Sequence, residues 1–471
     1  MDQFVDRIEE LDRLQTLYES GTAELAVIYG RRQIGKSELV RRSIADRDDA
    51  VYYQAVQGTA TTQLRRFVEA AATTYPDITA VKEEWEPLVT YLTDRDAIVV
   101  VDEFPYLVES NEGLPSVIQH LWDTAVDESQ ATLVLTGSAI GMIHTHVLDG
   151  GAPLYGRVSQ RPNGRLELTQ LPFRSIEEFV PTYDAEERVF AYGVFGGTPR
   201  YLSPLDPSRS LGENITRLLC DPNGPLHDEP ETVLQMELNE VNTYFSILES
   251  MASGNHSRNE IAQGAGIEST NTSYYFDRLE TLQIIEKHYP ALADPARSKR
   301  TRYQIRDPVF RFYFRYLYGR GGQYELYGEN AYEELIEPEL PDFASETFES
   351  LCHRAVPAFY TDYQLTQVPS QWWYKGQEVD VVAPTDGSTL IAGEAKFTSA
   401  PLGYDVLADL EDDVEQIDWT PTGGGEPTYE FALFSRSGFK SSVEEAADER
   451  DDLRRFDLSD VVAVLESETT D

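Results

Sequence analysis

Residues Gly30-Arg31-Arg32-Gln33-Ile34-Gly35-Lys36-Ser37 place two glycines, a lysine and a hydroxyl at the spacing GxxxxGK[ST]. Glycines at those positions let main-chain N–H groups wrap phosphate oxygens. A helix starting at the lysine adds orphan N–H donors and a partial positive charge. Lys36 is therefore expected to reach the β and γ phosphates of ATP and Ser37 to ligate Mg2+. Arg31, Arg32, Gln33, Ile34 and Glu38 complete the expected nucleotide-binding stretch. Seventy residues on, the apolar run Ile98–Val101 ends in Asp102-Glu103. Asp102 is expected to orient the metal's shell and Glu103 to polarise the attacking water, unless the acids merely cap the next helix.

Two further positions belong to the same chemistry. Leu135-Thr136-Gly137-Ser138 ends another apolar run, so the Ser138 hydroxyl would lie beside the phosphates. Arg157 follows in Pro153-Leu154-Tyr155-Gly156-Arg157 and suits either an arginine finger, in cis or from a neighbouring copy of a homo-oligomer, or a structural ion pair.

A different chemistry is indicated near the C-terminus. Glu378-Val379-Asp380-Val381-Val382 and, after a turn, Leu390-Ile391-Ala392-Gly393-Glu394-Ala395-Lys396 read as adjacent strands. Side chains alternate along a strand, so Glu394 and Lys396 share a face and can converge with Asp380. A lysine placed between two acids can also be a plain salt bridge. Arg297, Lys299, Arg300, Arg302 and Arg306 form a basic island suited to DNA phosphates, or to an acidic surface of this chain or a partner.

The elements that would position these residues follow from the apolar patterning. Leu25–Tyr29, Ala97–Val101 and Thr132–Leu135 are runs of buried-strand length, separated by helix-like stretches, which argues a parallel sheet with ligands at its carboxyl edge. After Arg161 the strand signal fades; Ser175–Val180 and Ala185–Phe195 look helical, and Asp221–Glu231 has the composition of a connecting loop. A helix around Val241–Met251, a capping box at Ser257–Glu260, a break at Gly264–Ile267 and a helix over Thr270–Leu282 precede β-like segments at Gln283–Tyr289 and Thr301–Arg306. That order is helix-turn-helix plus wing. Gly319–Asn330 is a glycine-rich break, with strand-like runs beyond it.

Composition sets outer bounds. The 471 residues include 82 acidic and 39 basic side chains, a formal net charge of -43, yet 41% are apolar and 11% aromatic, enough to build cores. Such a surface suits a halophilic cytoplasm, where molar salt shortens the screening length to roughly 3 Å. Only seven of the basic residues are lysine, and Lys36, Lys299 and Lys396 are three of them. The opening MDQFVDRIEE has neither a basic nor an apolar leader region, and no apolar run approaches the ~18 residues of a membrane span, so a cytoplasmic protein is expected. Cys220 and Cys352 are far apart and indicate neither a disulfide framework nor a zinc site.

Taken together, Phe4–Leu11 (FVDRIEEL), GRRQIGKS, Asp102–Leu107 (DEFPYL), LTGS, PLYGR, Gly196–Leu202 (GGTPRYL) and Tyr303–Pro308 (YQIRDP) resemble the archaeal-type, AAA/STAND-like P-loop ATPases along the whole chain. The resemblance implies that Asp6 and Arg7 belong to a box near the adenine and that Arg200 is a second nucleotide sensor in the lid. The C-terminal acids and Lys396 resemble PD-(D/E)XK nucleases, which implies that Asp380 and Glu394 hold magnesium, that Lys396 steadies a hydroxide or a scissile phosphate, and that Glu349 is the accessory acid on the preceding helix; the proline of the named pair is replaced by Val379. The expected fold class is α/β. Residues 1–160 would be the P-loop core, 161–235 a helical lid, 236–320 a winged helix that binds DNA, and 321–471 an α/β restriction-endonuclease-like domain. The function implied is an ATP-hydrolysing, nucleotide-gated DNA-binding switch to which the C-terminal domain could add metal-dependent DNA cleavage; the alternative is an ATP-dependent regulatory or scaffold protein whose nuclease-like domain is inactive.

Overall fold

The computed structural model describes residues 4–124, 129–159, 163–268, 272–421 and 423–467. Arg161 and Thr270, where the sequence reading sets a boundary and a helix start, lie outside them. Contacts divide the chain into two compact units, one of residues 4–171 with Thr198–Arg200, the other of Pro172–Gly197 and the chain from Tyr201 onward.

The first unit is built on five parallel strands, β1 (Glu24–Tyr29), β2 (Ala50–Gln54), β3 (Ile98–Asp102), β4 (Thr132–Gly137) and β5 (Arg165–Glu167), in the order β2-β3-β4-β1-β5. Alternate residues supply two cores. Leu25, Val27, Val99, Val101, Leu133 and Leu135 join one, whereas Ala26, Ile28, Ile98, Val100 and Val134 join the other. Burial on both faces explains why β1, β3 and β4 are continuous apolar runs rather than alternating ones. Helices α1 (Ile8–Tyr18) and α2 (Lys36–Ser43) cover the second face through Leu14, Leu17, Leu39 and Val40. The first face is covered by α3 (Ala60–Ala71), α4 (Trp85–Thr93), α5 (Phe104–Ser110) and α6 (Leu114–Thr124). The sequence reading found the three central strands; the structure adds β2 at one edge and β5, beyond residue 160, at the other. Because all five run parallel, Gly30, Asp102 and Ser138 leave the sheet at one rim.

In the second unit, α7 (Ala185–Phe195) starts at an Asp184/Glu187 capping box and is buried from Val189 onward. Helices α8 (Val241–Ala252), α9 (Arg258–Gly264) and α10 (Thr272–Thr281) are followed by an antiparallel hairpin of β6 (Ile285–His288) and β7 (Arg302–Ile305). Ser257 and Glu260 cap α9 reciprocally, as their spacing predicts. The glycine-rich stretch from Gly319 does not stay open: Gly321–Tyr327 is helical, although no side chain on it is buried. Nor do strands follow at once, since the twenty-residue α11 (Leu340–Phe359) comes first.

Behind α11 lies a mixed sheet of β8 (Ser370–Tyr374), β9 (Gln377–Pro384), β10 (Thr389–Lys396), β11 (Thr428–Ser435) and β12 (Leu453–Asp457), ordered β12-β11-β10-β9-β8. The pairs β8/β9 and β9/β10 are antiparallel; β10/β11 and β11/β12 are parallel. Helices α12 (Tyr404–Val414), α13 (Ser441–Glu449) and α14 (Leu458–Ser467) complete the unit. Both cysteines are buried free thiols. Among the described residues, no helix is long and apolar enough to cross a membrane.

Candidate functional site

At the rim of the first sheet, the chain from Gly30 to Gly35 forms a cradle that glycine alone permits at its two ends. Gly30 has φ 147°, and a Cβ on it would overlap the carbonyl oxygen of Leu168. Gly35 has φ 100° and lies against Pro199, whose Cγ would be 3.9 Å from an added Cβ. The buried Lys36 side chain turns back into the loop, where its ammonium donates to the carbonyls of Gly30 (2.9 Å) and Arg31 (2.7 Å). Ser37 and Glu38 follow in the first turn of α2, with Ser37 half-buried and Glu38 exposed. Arg31 and Arg32 are half-buried, Gln33 is exposed with φ 67°, and Ile34 is buried in the core beneath α2.

Arg7 secures this loop from outside. Held in a left-handed conformation with φ 72°, it donates to the carbonyl of Thr169 at 2.5 Å and of Ile34 at 3.4 Å, and it pairs with Glu10 at 2.9 Å. Asp6 accepts from the Arg7 N–H at 2.9 Å. Arg200 is exposed in the short helix Pro199–Leu202, one residue from the proline that touches Gly35. Arg157 lies elsewhere: its guanidinium is ion-paired with Asp123 on α6, so the structural alternative describes its present state.

The acid pair sits where β3 ends. Asp102 is fully buried, and its carboxylate accepts hydrogen bonds from the Thr136 hydroxyl on β4 and from the Tyr52 hydroxyl on β2, the latter at 2.6 Å. Burial, followed by that bond to Asp102, pushes the Tyr52 hydroxyl above its ordinary pKa. Glu103 takes the left-handed conformation (φ 57°) that starts α5. Its carboxylate accepts from the Ser138 hydroxyl at 2.9 Å to both oxygens and from the Ser138 N–H at 3.4 Å. Tyr52 at this rim is a residue that the sequence analysis does not single out; its one signal is the short aromatic segment Ala50–Gln54, not read there as a strand.

In the second unit, Asp380 on β9 meets Glu394 and Lys396 on β10. Asp380 Oδ2 accepts the Ala395 N–H at 3.0 Å and lies 3.6 Å from the Lys396 ammonium, which is also bonded to Glu394. Glu349 and His353, one turn apart on α11, face the same spot: His353 Nε2–H donates to the Asp380 carbonyl at 2.6 Å and lies 3.9 Å from Glu349. Burial, then the nearby Asp380 carboxylate, raises Glu349 to about 9 and Glu394 to about 7, with Lys396 opposing the shift at Glu394. Burial works against the Lys396 ammonium, but Asp380 and Glu394 outweigh it and hold its pKa above the ordinary value. Asp380 and Glu394 are thus brought together at Lys396, with Glu349 near their carboxylates. Among the described residues, no group of three or more His, Cys, Asp or Glu side chains is arranged to hold a metal ion.

The basic island is partly spent within its own unit. Arg300 donates to the Trp373 carbonyl at 3.1 Å and lies over Tyr374. Arg302 donates to Gln371 at 3.1 Å, lies over Trp373 and pairs with Glu378. Arg297 pairs with Asp294 at 3.4 Å, while Lys299 is exposed and Arg306 half-buried.

A phosphate cradle, its lysine and an acid pair at one rim of a parallel sheet define a P-loop ATPase domain. A family described as an ATPase domain predominantly from Archaea matches residues 4–205, and a family described as Archaea bacterial proteins of unknown function matches residues 313–407. An uncharacterized protein of Methanocaldococcus jannaschii is 31% identical over 390 residues, 81% of this chain and 84% of its own length. The chain belongs to this family of archaeal ATPases. A shorter match to another uncharacterized protein of the same organism is 29% identical over 58 residues, covering 12% of this chain and 56% of that one. Among solved structures, a Walker-type ATPase of Pyrococcus abyssi has 18% identity and a TM-score of 0.48, covering 66% of this chain and 96% of that one. The Drosophila ORC bound to DNA has 12% identity and a TM-score of 0.30, covering 67% and 87%. Neither likeness bears on function.

Proposed function

We propose that this ATPase is a magnesium-dependent, nucleotide-gated DNA switch whose C-terminal centre cleaves DNA. The observation carrying the first half is the meeting of Lys36, Asp102, Glu103 and Ser138 at one rim. The hydroxyl and carboxylate donors, Ser37 and Asp102, suit a hard cation such as magnesium, which would supply charge neutralisation at the β and γ phosphates. Lys36 gives up the Gly30 and Arg31 carbonyls for phosphate oxygens. Glu103 orients the attacking water, and Ser138 fixes the direction of its carboxylate. Arg200 follows the proline that lies against Gly35, and it would serve as the lid's sensor. Arg157 would act as a finger only after leaving Asp123.

The second half rests on the convergence of Asp380, Glu394 and Lys396. The carboxylates of Asp380 and Glu394, with Glu349 beside them, are oxygen donors that suit a divalent cation, which they would hold. Such an ion would supply a nucleophile at neutral pH, and Lys396 would stabilise the charge that gathers on the phosphate. The winged-helix reading of α8 to β7 gives the route to DNA. A scaffold with an inert nuclease-like domain is the competing reading, and the docking of Arg300 and Arg302 on the chain's own β8 and β9 favours it.

Two measurements decide. Glu103→Gln binds ATP as wild type does but hydrolyses it at least ~100-fold more slowly, whereas Lys36→Ala loses nucleotide binding; equal turnover by Glu103→Gln and wild type removes Glu103 from its role. Linear and plasmid DNA incubated with magnesium or manganese, ATP and high potassium chloride is cut by the wild type and not by Asp380→Ala. No cutting under any of these conditions leaves the scaffold.

A further inference from the structure

On the ATP-site reading Asp102 would serve the metal, yet no part of it reaches solvent. One carboxylate oxygen is held by Thr136, and the other accepts the Tyr52 hydroxyl at 2.6 Å. Thr136 is locked into the same corner, because its hydroxyl oxygen also accepts the Glu103 N–H at 3.3 Å. Tyr52 is different: it sits on the edge strand β2, half-buried, and Arg41 of α2 lies over its ring at 4.9 Å. Arg41 is one turn beyond Ser37, the residue expected beside the metal. A metal-bound water can donate to Asp102 only where an acceptor position is open, and the phenol covers one.

From this we infer that Tyr52 is a displaceable cover on Asp102, a positioning residue that sets how strongly magnesium couples to nucleotide binding. The inference rests on the ATP-site reading. In the metal-free protein the Tyr52 O–H satisfies the buried carboxylate. With magnesium bound beside the nucleotide, Asp102 would be needed as an acceptor on the metal's side, and the Tyr52 phenol would have to release it while Arg41 holds its ring. The bond to Tyr52 therefore works against metal binding. Removing the hydroxyl leaves the apo carboxylate short of a donor that the hydrated metal can supply.

The test compares the affinity of the full chain for a fluorescent ADP analogue in excess EDTA and in magnesium, for wild type and Tyr52→Phe. The ratio of the two affinities measures magnesium coupling and cancels any general damage to the site. Tyr52→Phe is expected to raise that ratio about tenfold, the effect of one hydrogen bond to a charged group, with the EDTA affinity unchanged. An unchanged or lower ratio, or a parallel loss of both affinities, overturns the inference and makes Tyr52 a brace. If Tyr52→Phe does not fold, Tyr52→Leu is read in the same way, since it also lacks the hydroxyl. Failure of wild type to bind nucleotide in either condition sinks the ATP-site reading itself, and this inference with it.

Discussion

Glu349 shows how much a single buried acid can say. Its pKa near 9 arises from burial and then from Asp380, so in the folded chain it keeps a proton that an unfolded chain has released. Folding is therefore favoured by this group at acid pH, and the contribution is lost as pH rises through the window from its ordinary value to about 9. In metal-free buffer, Glu349→Gln should gain stability over wild type as pH is raised from about 5 to about 9, by at least ~1 kcal/mol in urea unfolding. A constant difference between the two proteins across that range would show that Glu349 does not hold the proton. Residues of this kind divide by legibility. Lys36, Asp102 and Glu103 were readable because each sits at a fixed step from a strand end. Tyr52 and His353 were not, since one contacts a carboxylate fifty residues away and the other a carbonyl twenty-seven residues away, separations no local pattern encodes.

Strands and helices show the same division. β1, β3 and β4 announce themselves because they are buried on both faces; β2 is an edge strand with alternating burial, and β5 has only three residues. Both need a neighbour to exist, and the neighbour is a tertiary fact. The hairpin β6/β7 was legible as two strands, but its anchorage was not. Ala291, between its strands, donates to Gln371 at 2.8 Å and joins the apolar core of the C-terminal sheet, while Arg302 reaches Trp373 and Glu378. Because the Arg302 pair is partly exposed, its ionic contribution is discounted to about 1 kcal/mol with the ring contact included. Arg302→Ala should accordingly speed hydrogen exchange at Ala291 and along Arg302–Ile305 by about fivefold, with the central strands β9 and β10 unchanged. Uniform acceleration throughout the unit would mean that the arginine supports global stability and not the hairpin's anchorage.

At the scale of the whole chain, the net charge of -43 is the dominant electrostatic fact. Repulsion among carboxylates acts over about 10 Å in 0.1 M salt and over roughly 3 Å at 1 M, so the folded state gains from added salt. Thermal unfolding should move upward between ~0.1 M and ~2 M potassium chloride, by about 2–4 °C for each ~1 kcal/mol of repulsion relieved. The same rise with an uncharged osmolyte at equal osmolality would point to exclusion from the surface instead of screening.

The path of the backbone has a practical outcome. The chain leaves the first unit at Leu171, comes back for Thr198–Arg200 and departs again at Tyr201, so the proline resting on Gly35 arrives by a loop rather than at the end of a domain. A fragment ending at residue 171 would keep every strand of the first sheet and still lack one wall of its nucleotide cradle. Because the chain crosses between the two units at Leu171, Gly197 and Arg200, no single cut separates them.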